Sequence, residues 1–170
     1  MKKKILLILM IILVLSGCSG TPKFEIGTPI YDIIVTYKEY QYMSLPGLTA
    51  YKIDGDHIIV YEGPGIKIGK LVVFSPDRTC KENKGFSLKI IGDISCLLNK
   101  SLNQVEEEFG KHDVVVASGP FVPGYITEDG YLVGFSLDIN DIVGSVIKID
   151  LLTGETVETF RLIEFLRSPS

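Results

Sequence analysis

Two stretches of this sequence match at a constant offset in residue number. Asp54-Gly55 is followed by an apolar run and then by Ile68-Gly69-Lys70-Leu71-Val72-Val73-Phe74; Asp129-Gly130 is followed by an apolar run and then by Val143-Gly144-Ser145-Val146-Ile147-Lys148-Ile149. Gly69 lies as far beyond Gly55 as Gly144 lies beyond Gly130, and Ile58, Leu71, Val72 and Phe74 match Val133, Val146, Ile147 and Ile149. Paired Asp-Gly dipeptides alone are common hairpin chemistry. The equal spacing and the matched apolar positions are what mark an internal repeat, which bounds the fold to one plan used twice. Upstream, Pro46-Gly47 matches Pro123-Gly124 with a two-residue difference in length.

The plan is clearest in the second copy. Asp93 heads a short helix over 93–99, and Ser101 caps a stronger one that ends at Gly110, with Leu102, Val105 and Phe109 on one face. Strands are predicted near 113–118, 131–137 and 145–152, with turns at Glu128-Asp129-Gly130 and Asn140-Asp141 and a further apolar segment from Val157 to Leu166. In the first copy Thr28-Pro29 fits an N-cap and first helical position, and Ile30, Ile33, Ile34 and Tyr37 fit a helical face. Ile33-Ile34-Val35-Thr36-Tyr37 also reads as strand; the repeat favours helix. Strands near 48–53, 57–62, 69–75 and 86–91 follow. The expected class is α+β, two tandem helix-plus-antiparallel-meander units with helices on one face of each sheet.

The start of the chain obeys different rules. Met1-Lys2-Lys3-Lys4 is positively charged, and Ile5–Leu15 is an unbroken apolar run. As a helix that run reaches only ~17 Å, short of a ~30 Å hydrocarbon core, so it reads as the apolar region of a signal peptide. Leu15-Ser16-Gly17-Cys18 then matches the bacterial lipobox. The small residues give a peptidase access to the bond before Cys18, and the Cys18 thiol takes a diacylglyceryl group, with palmitate-type chains as the anchor. The competing readings are a plain secretory signal with a chance cysteine, or an uncleaved anchor. The expected organisation is a signal peptide over 1–17, a lipidated tether over 18–27, a first unit over 28–92 and a second over 93–170. Ser19 after the cysteine, in place of Asp, permits passage to the outer membrane of a double-membrane bacterium; in a single-membrane one the protein sits on the outer face.

Removing 1–17 changes the composition. Mean hydropathy for the whole chain is +0.30, but much of it belongs to the removable segment. Residues 18–170 carry 14 basic and 21 acidic side chains, too acidic for attraction to anionic lipid or nucleic acid. Residues 18–100 are near neutral at +1, whereas 101–170 stand at −8. Of the three cysteines, Cys80 and Cys96 are left once Cys18 is lipidated, in a compartment that permits disulfides. A Cys80–Cys96 bridge closes a 17-residue loop around polar Lys81-Glu82-Asn83-Lys84-Gly85; the alternative is two free thiols.

Signs of catalysis are sparse. The chain has no phosphate-binding Gly-Lys-Ser loop, no HExxH and no Gly-x-Ser-x-Gly. His57, in a predicted strand, and His112, just past a helix end, read as structural. Glu106-Glu107-Glu108 are consecutive and fan around their helix. Asp138, Asn140 and Asp141 lack the glycine and distal Glu of a calcium loop and read as a turn. No cofactor or metal is expected. Aromatics carry more: Tyr42 and Met43 precede Pro46-Gly47, and Phe121 and Tyr125 flank Pro123-Gly124. Exposed on equivalent loops, these four make a partner-binding surface; otherwise they pack the core.

The succession of helix, Ser101-Leu102-x-x-Val105-x-x-x-Phe109-Gly110, and a meander with Tyr125, Asp129 and Gly130 resembles the β-lactamase-inhibitor-protein-like fold, itself similar to the small lipoproteins of the outer-membrane β-barrel assembly machinery. The likeness spans 93–152 and, more weakly, 28–75. It implies tandem units that bind through an open sheet face and supplies no reason to expect catalysis. The expectation is therefore a membrane-anchored, extracytoplasmic, non-catalytic protein-binding module. The alternatives are a structural envelope-assembly subunit docking through its lipid and helices and, less favoured, a hydrolase with an unrecognised site.

Overall fold

The computed structural model describes residues 21–116 and 122–162. Residues 1–20, 117–121 and 163–170 lie outside them, and with these the signal segment, Cys18, Phe121 and the end of the last apolar segment.

The described residues form two five-stranded antiparallel sheets and a few short helices. Helix α1 (Ile30–Tyr37) and a 3-10 turn (Lys38–Tyr40) lead into β1 (Gln41–Leu45), β2 (Leu48–Ile53), β3 (Asp56–Gly63), β4 (Lys67–Phe74) and β5 (Cys80–Lys84), paired in sequence order. A 3-10 helix (Ile94–Leu97) and α2 (Leu102–Phe109) then lead into β6 (Val114–Val115), β7 (Pro123–Ile126), β8 (Tyr131–Leu137), β9 (Val143–Asp150) and β10 (Thr156–Arg161), again in order. The step from the start of β2 to the start of β7 equals the step from β3 to β8, and the steps from β4 to β9 and from β5 to β10 are each a single residue longer. The spacing seen in the sequence is thus the spacing of the strands.

Strand alternation sends each sheet's two faces to different partners. On the first sheet Tyr51, Val60, Ile68 and Leu71 face α1 and meet Ile30 and Ile33. Leu48, Ala50, Ile59, Val72 and Phe74 face the second sheet and pack with Ile126, Leu132, Leu151 and Leu152. The far face of the second sheet, with Tyr125, Val133, Phe135 and Val146, packs under Ile94, Leu97 and Val105. The layers therefore run helix, sheet, sheet, helix. Each sheet thus packs against helix on one face and against the other sheet on the other, which leaves less open sheet than expected.

Local chemistry explains most boundaries. Asp93 accepts from Ser95 N at 2.9 Å, and Ser101 and Gln104 form a reciprocal capping box before α2. Gly110, at φ +78°, ends α2. At the start of α1, Pro29 itself is the N-cap, one position later than expected, and Ile30 N donates to Ile66 O at 3.0 Å in place of a side-chain cap. Asp54 and Gly55 both take positive φ in a two-residue turn between paired Ile53 and Asp56, the primed geometry that suits a twisted hairpin. Asp129-Gly130 sits in a longer turn closed by Thr127 and Tyr131. The same dipeptide thus serves two turn types.

Three strands depart from the predicted set. β1 occupies residues expected to form a loop, and Pro46-Gly47 is its hairpin turn into β2. Pro123-Gly124 is not the equivalent turn; it opens β7 and pairs with Val115 and Val114. β5 is the polar segment Cys80–Lys84, while 86–91 forms no strand beyond a single Lys89–Thr127 bridge.

Candidate functional site

The residues expected to bind a partner are mostly interior. Tyr125 is fully buried on β7; its hydroxyl donates to Gly110 O at 2.6 Å, and its ring stacks on Phe135. Met43 is buried in the inter-sheet core. Tyr42 is half-buried, and its hydroxyl donates to the Leu151 carbonyl across the sheets. Burial, then the Asp150 charge, raises the Tyr42 phenol well above its ordinary value. These three residues build the fold and cannot form a surface loop, because both supposed loops are strands whose apolar sides face layers. Phe121 lies outside the described residues. The disulfide is likewise corrected. Cys80 begins an edge strand of the first sheet, with Sγ 3.5 Å from Glu82 O, while Cys96 is exposed on the 3-10 helix of the second unit, and both are free thiols.

Tyr42 belongs to a polar seam that ties the sheets together. His57, 5% exposed, places Nδ1 3.2 Å from Tyr42 Oη. Burial, then Lys52, lowers the imidazole pKa, against opposing charges on Asp150 and Asp56. Arg78 pairs with Asp150, donates to Asp129 O at 3.1 Å and lies 4.7 Å over the Tyr131 ring, which Lys148 also approaches at 4.5 Å. The Tyr42 proton is committed to a carbonyl and His57 is enclosed, so the arrangement works as a clasp between units. His112 Nδ1 sits 2.7 Å from Glu106 Oε1, Glu108 pairs with Lys100, and Asp138 accepts from Asn140 N and Ile142 N within its hairpin turn.

The open concavity lies elsewhere. An eight-residue helix is ~12 Å long, whereas the eight-residue strand beneath it is ~26 Å. α1 therefore leaves part of the first sheet's outer face uncovered. The result is a groove of about 460 Å³ lined by Ile30 and Ile34 of α1, Leu45 and Pro46 of the β1–β2 hairpin, and Thr49, Val60 and Glu62 on its floor and rim. The surface beside it is apolar: Ile34 is 39% exposed, Tyr31 72% and Val35 59%. Sequence reasoning placed Ile30 and Ile34 on a helical face, but which part of that face is buried depends on how short α1 is relative to the strands. A smaller groove of about 310 Å³ between Lys89–Gly92 and Glu128-Asp129 carries the exposed Ile90.

Among the described residues no helix is long and apolar enough to cross a membrane, and no group of three or more His, Cys, Asp or Glu is placed to hold a metal ion. Comparison of the chain with protein families, curated proteins and solved structures yields no match.

Proposed function

We propose that this chain is a lipid-anchored, extracytoplasmic, non-catalytic docking protein that takes an apolar segment of a neighbouring protein into the groove between α1 and the β1–β2 hairpin. The observation that carries this reading is the groove itself, an open concavity walled by Ile30 and the partly exposed Ile34 of α1 with Leu45 and Pro46 of the hairpin, since exposed apolar surface on a folded domain marks a contact site. The lipobox at Leu15–Cys18 supports the anchor, and the sparse catalytic signatures support a binding role. Burial of Met43 and Tyr125 moves the contact from aromatic loops to a helix face, which favours the envelope-assembly form of the hypothesis. The matched strand offsets support the reading of two copies of one unit, as does the resemblance to tandem binding folds.

The test is a photo-reactive amino acid at position 34 in living cells, with position 157 on β10 as control. A discrete adduct from 34 that is absent from 157, and is lost when the partly exposed Thr49 of the groove becomes Glu, is expected. Equal adducts from both positions, or none from 34, contradict the reading.

A further inference from the structure

We infer that the face of the first unit bearing Ile26, Tyr31, Val35 and Ile66 rests in the membrane interface and seats the domain on the bilayer beside its lipid; the inference relies on the proposed acylation of Cys18. The four side chains are 49%, 72%, 59% and 63% exposed. Ile26 and Ile66 lie beside the start of α1 through the backbone, and Tyr31 and Val35 follow along the helix. Gly27 N donates to Ile68 O at 2.8 Å and Ile30 N to Ile66 O at 3.0 Å, which fastens the segment before α1 to the β3–β4 hairpin. Tyr31 and Val35 are one turn apart on α1, a stripe distinct from the Ile30–Ile34 stripe that lines the groove.

The membrane is the occupant because of chain length. Two residues of the expected 18–27 tether already contact the fold. Tyr37 Oη donates to Pro22 O at 2.9 Å, and the Phe24 ring packs 4.7 Å from Tyr37 and 5.2 Å from Tyr51. Pro22 is thus held by the fold, four residues after Cys18. At ~3.5 Å per residue the link reaches at most ~14 Å. An acylated Cys18 sits at the headgroup level, so Pro22 and the Tyr37 end of α1 that it touches are held within that distance of lipid, and the rest of α1 lies within a further helix length of ~12 Å. Tyr and branched apolar residues are the side chains that insert into this zone. Charge agrees: Lys23 and Lys67 balance Glu25 and Asp32 around the patch, whereas the net −8 of residues 101–170 turns the second unit away from an anionic surface. Seated in this way, the groove opens along the membrane plane and its partner is membrane-proximal.

The chain contains no tryptophan, so Tyr31→Trp supplies a single reporter. The lipidated full-length chain is reconstituted in phosphatidylethanolamine–phosphatidylglycerol vesicles with or without brominated lipid. Burial ~5–10 Å into the interface predicts about twofold or greater quenching of the Tyr31→Trp chain. A Val157→Trp chain is expected to show none. Adding Val35→Asp to Tyr31→Trp abolishes the quench while the protein stays in the vesicle pellet. A pelleted Tyr31→Trp chain quenched no more than Val157→Trp overturns the seating and leaves the anchor standing. A chain that fails to pellet removes both, and a quench that requires an added protein overturns the seating and assigns the patch to that protein.

Discussion

Arg78 and Asp150, one from the turn after β4 and the other at the end of β9, form an ion pair that joins the two sheets. Asp150 also accepts from Leu152 N at 2.8 Å. Burial opposes its ionisation, but the Arg78 hydrogen bond and the backbone donors prevail, and its pKa lies below the ordinary carboxylate value. A group so depressed stabilises the fold fully above its unfolded pKa of ~3.9 and loses that contribution as pH falls through the folded value. Asp150→Asn is therefore expected to lower stability by about 1–3 kcal/mol at pH 7. Its effect should shrink below pH ~4. Chemical denaturation at both pH values measures this, and an equal loss at each would refute the pairing.

His57 behaves with the opposite charge and the same pH direction. Its lowered pKa means the unfolded chain takes up a proton first as pH falls through ~6.5. Native stability is fully present above that value and declines on acidification below it. His57→Asn keeps a polar group near Tyr42 Oη without titrating. Thermal melts from pH 7 to pH 5 are expected to show a shallower decline for the variant; identical slopes would exclude His57 from the linkage.

The glycines that revealed the repeat have different physical causes. A Cβ on Gly69 would lie 2.7 Å from Gly63 Cα across the β3–β4 hairpin, whereas one on Gly144 meets nothing within 4 Å. Gly69→Ala should lose about 1–3 kcal/mol through strain between backbones. Gly144→Ala should stay within about 0.5 kcal/mol. Denaturant midpoints decide the matter.

Tyr125→Ala removes a ring that fills the core beneath the 3-10 helix and α2, and is expected to destabilise by about 3–5 kcal/mol. Tyr125→Phe keeps the ring and loses only the bond to Gly110 O, for about 1 kcal/mol. A surface contact residue would show neither loss, so the pair of variants separates a core role from a binding role.

Alkylation separates the cysteines. Exposed Cys96 should label with iodoacetamide in the folded, unreduced chain, and partly buried Cys80 more slowly. Burial raises both thiols, which slows labelling without preventing it. A chain that takes up label only after reduction would restore the disulfide.

The elements that could be read in the sequence are those whose cause is local. Ser101, Asp93 and Gly110 fix helix ends by their own hydrogen bonds and backbone freedom, and these lie where expected. β5 escaped notice because an edge strand such as Cys-Lys-Glu-Asn-Lys is polar by necessity and has no apolar alternation. Pro123-Gly124 imitates a turn, yet Pro is admissible as a strand's first residue, and glycine at 124 avoids a tight contact with Val133 O, 3.0 Å from a hypothetical Cβ. Stacking of the sheets has a trace in the unbroken apolar runs Ile58–Tyr61 and Leu71–Phe74, since strands covered on both faces sustain such runs. The groove had no local signature, because it arises from a mismatch in length between α1 and the strands below it.

Fractionation of cells expressing the native chain or Cys18→Ala decides whether this is a surface-anchored docking protein. The native chain is expected to sediment with membranes and to resist salt extraction, while the Cys18→Ala chain is released as a folded soluble protein. Continued membrane retention of Cys18→Ala at native levels would contradict the lipid anchor and the docking role built on it.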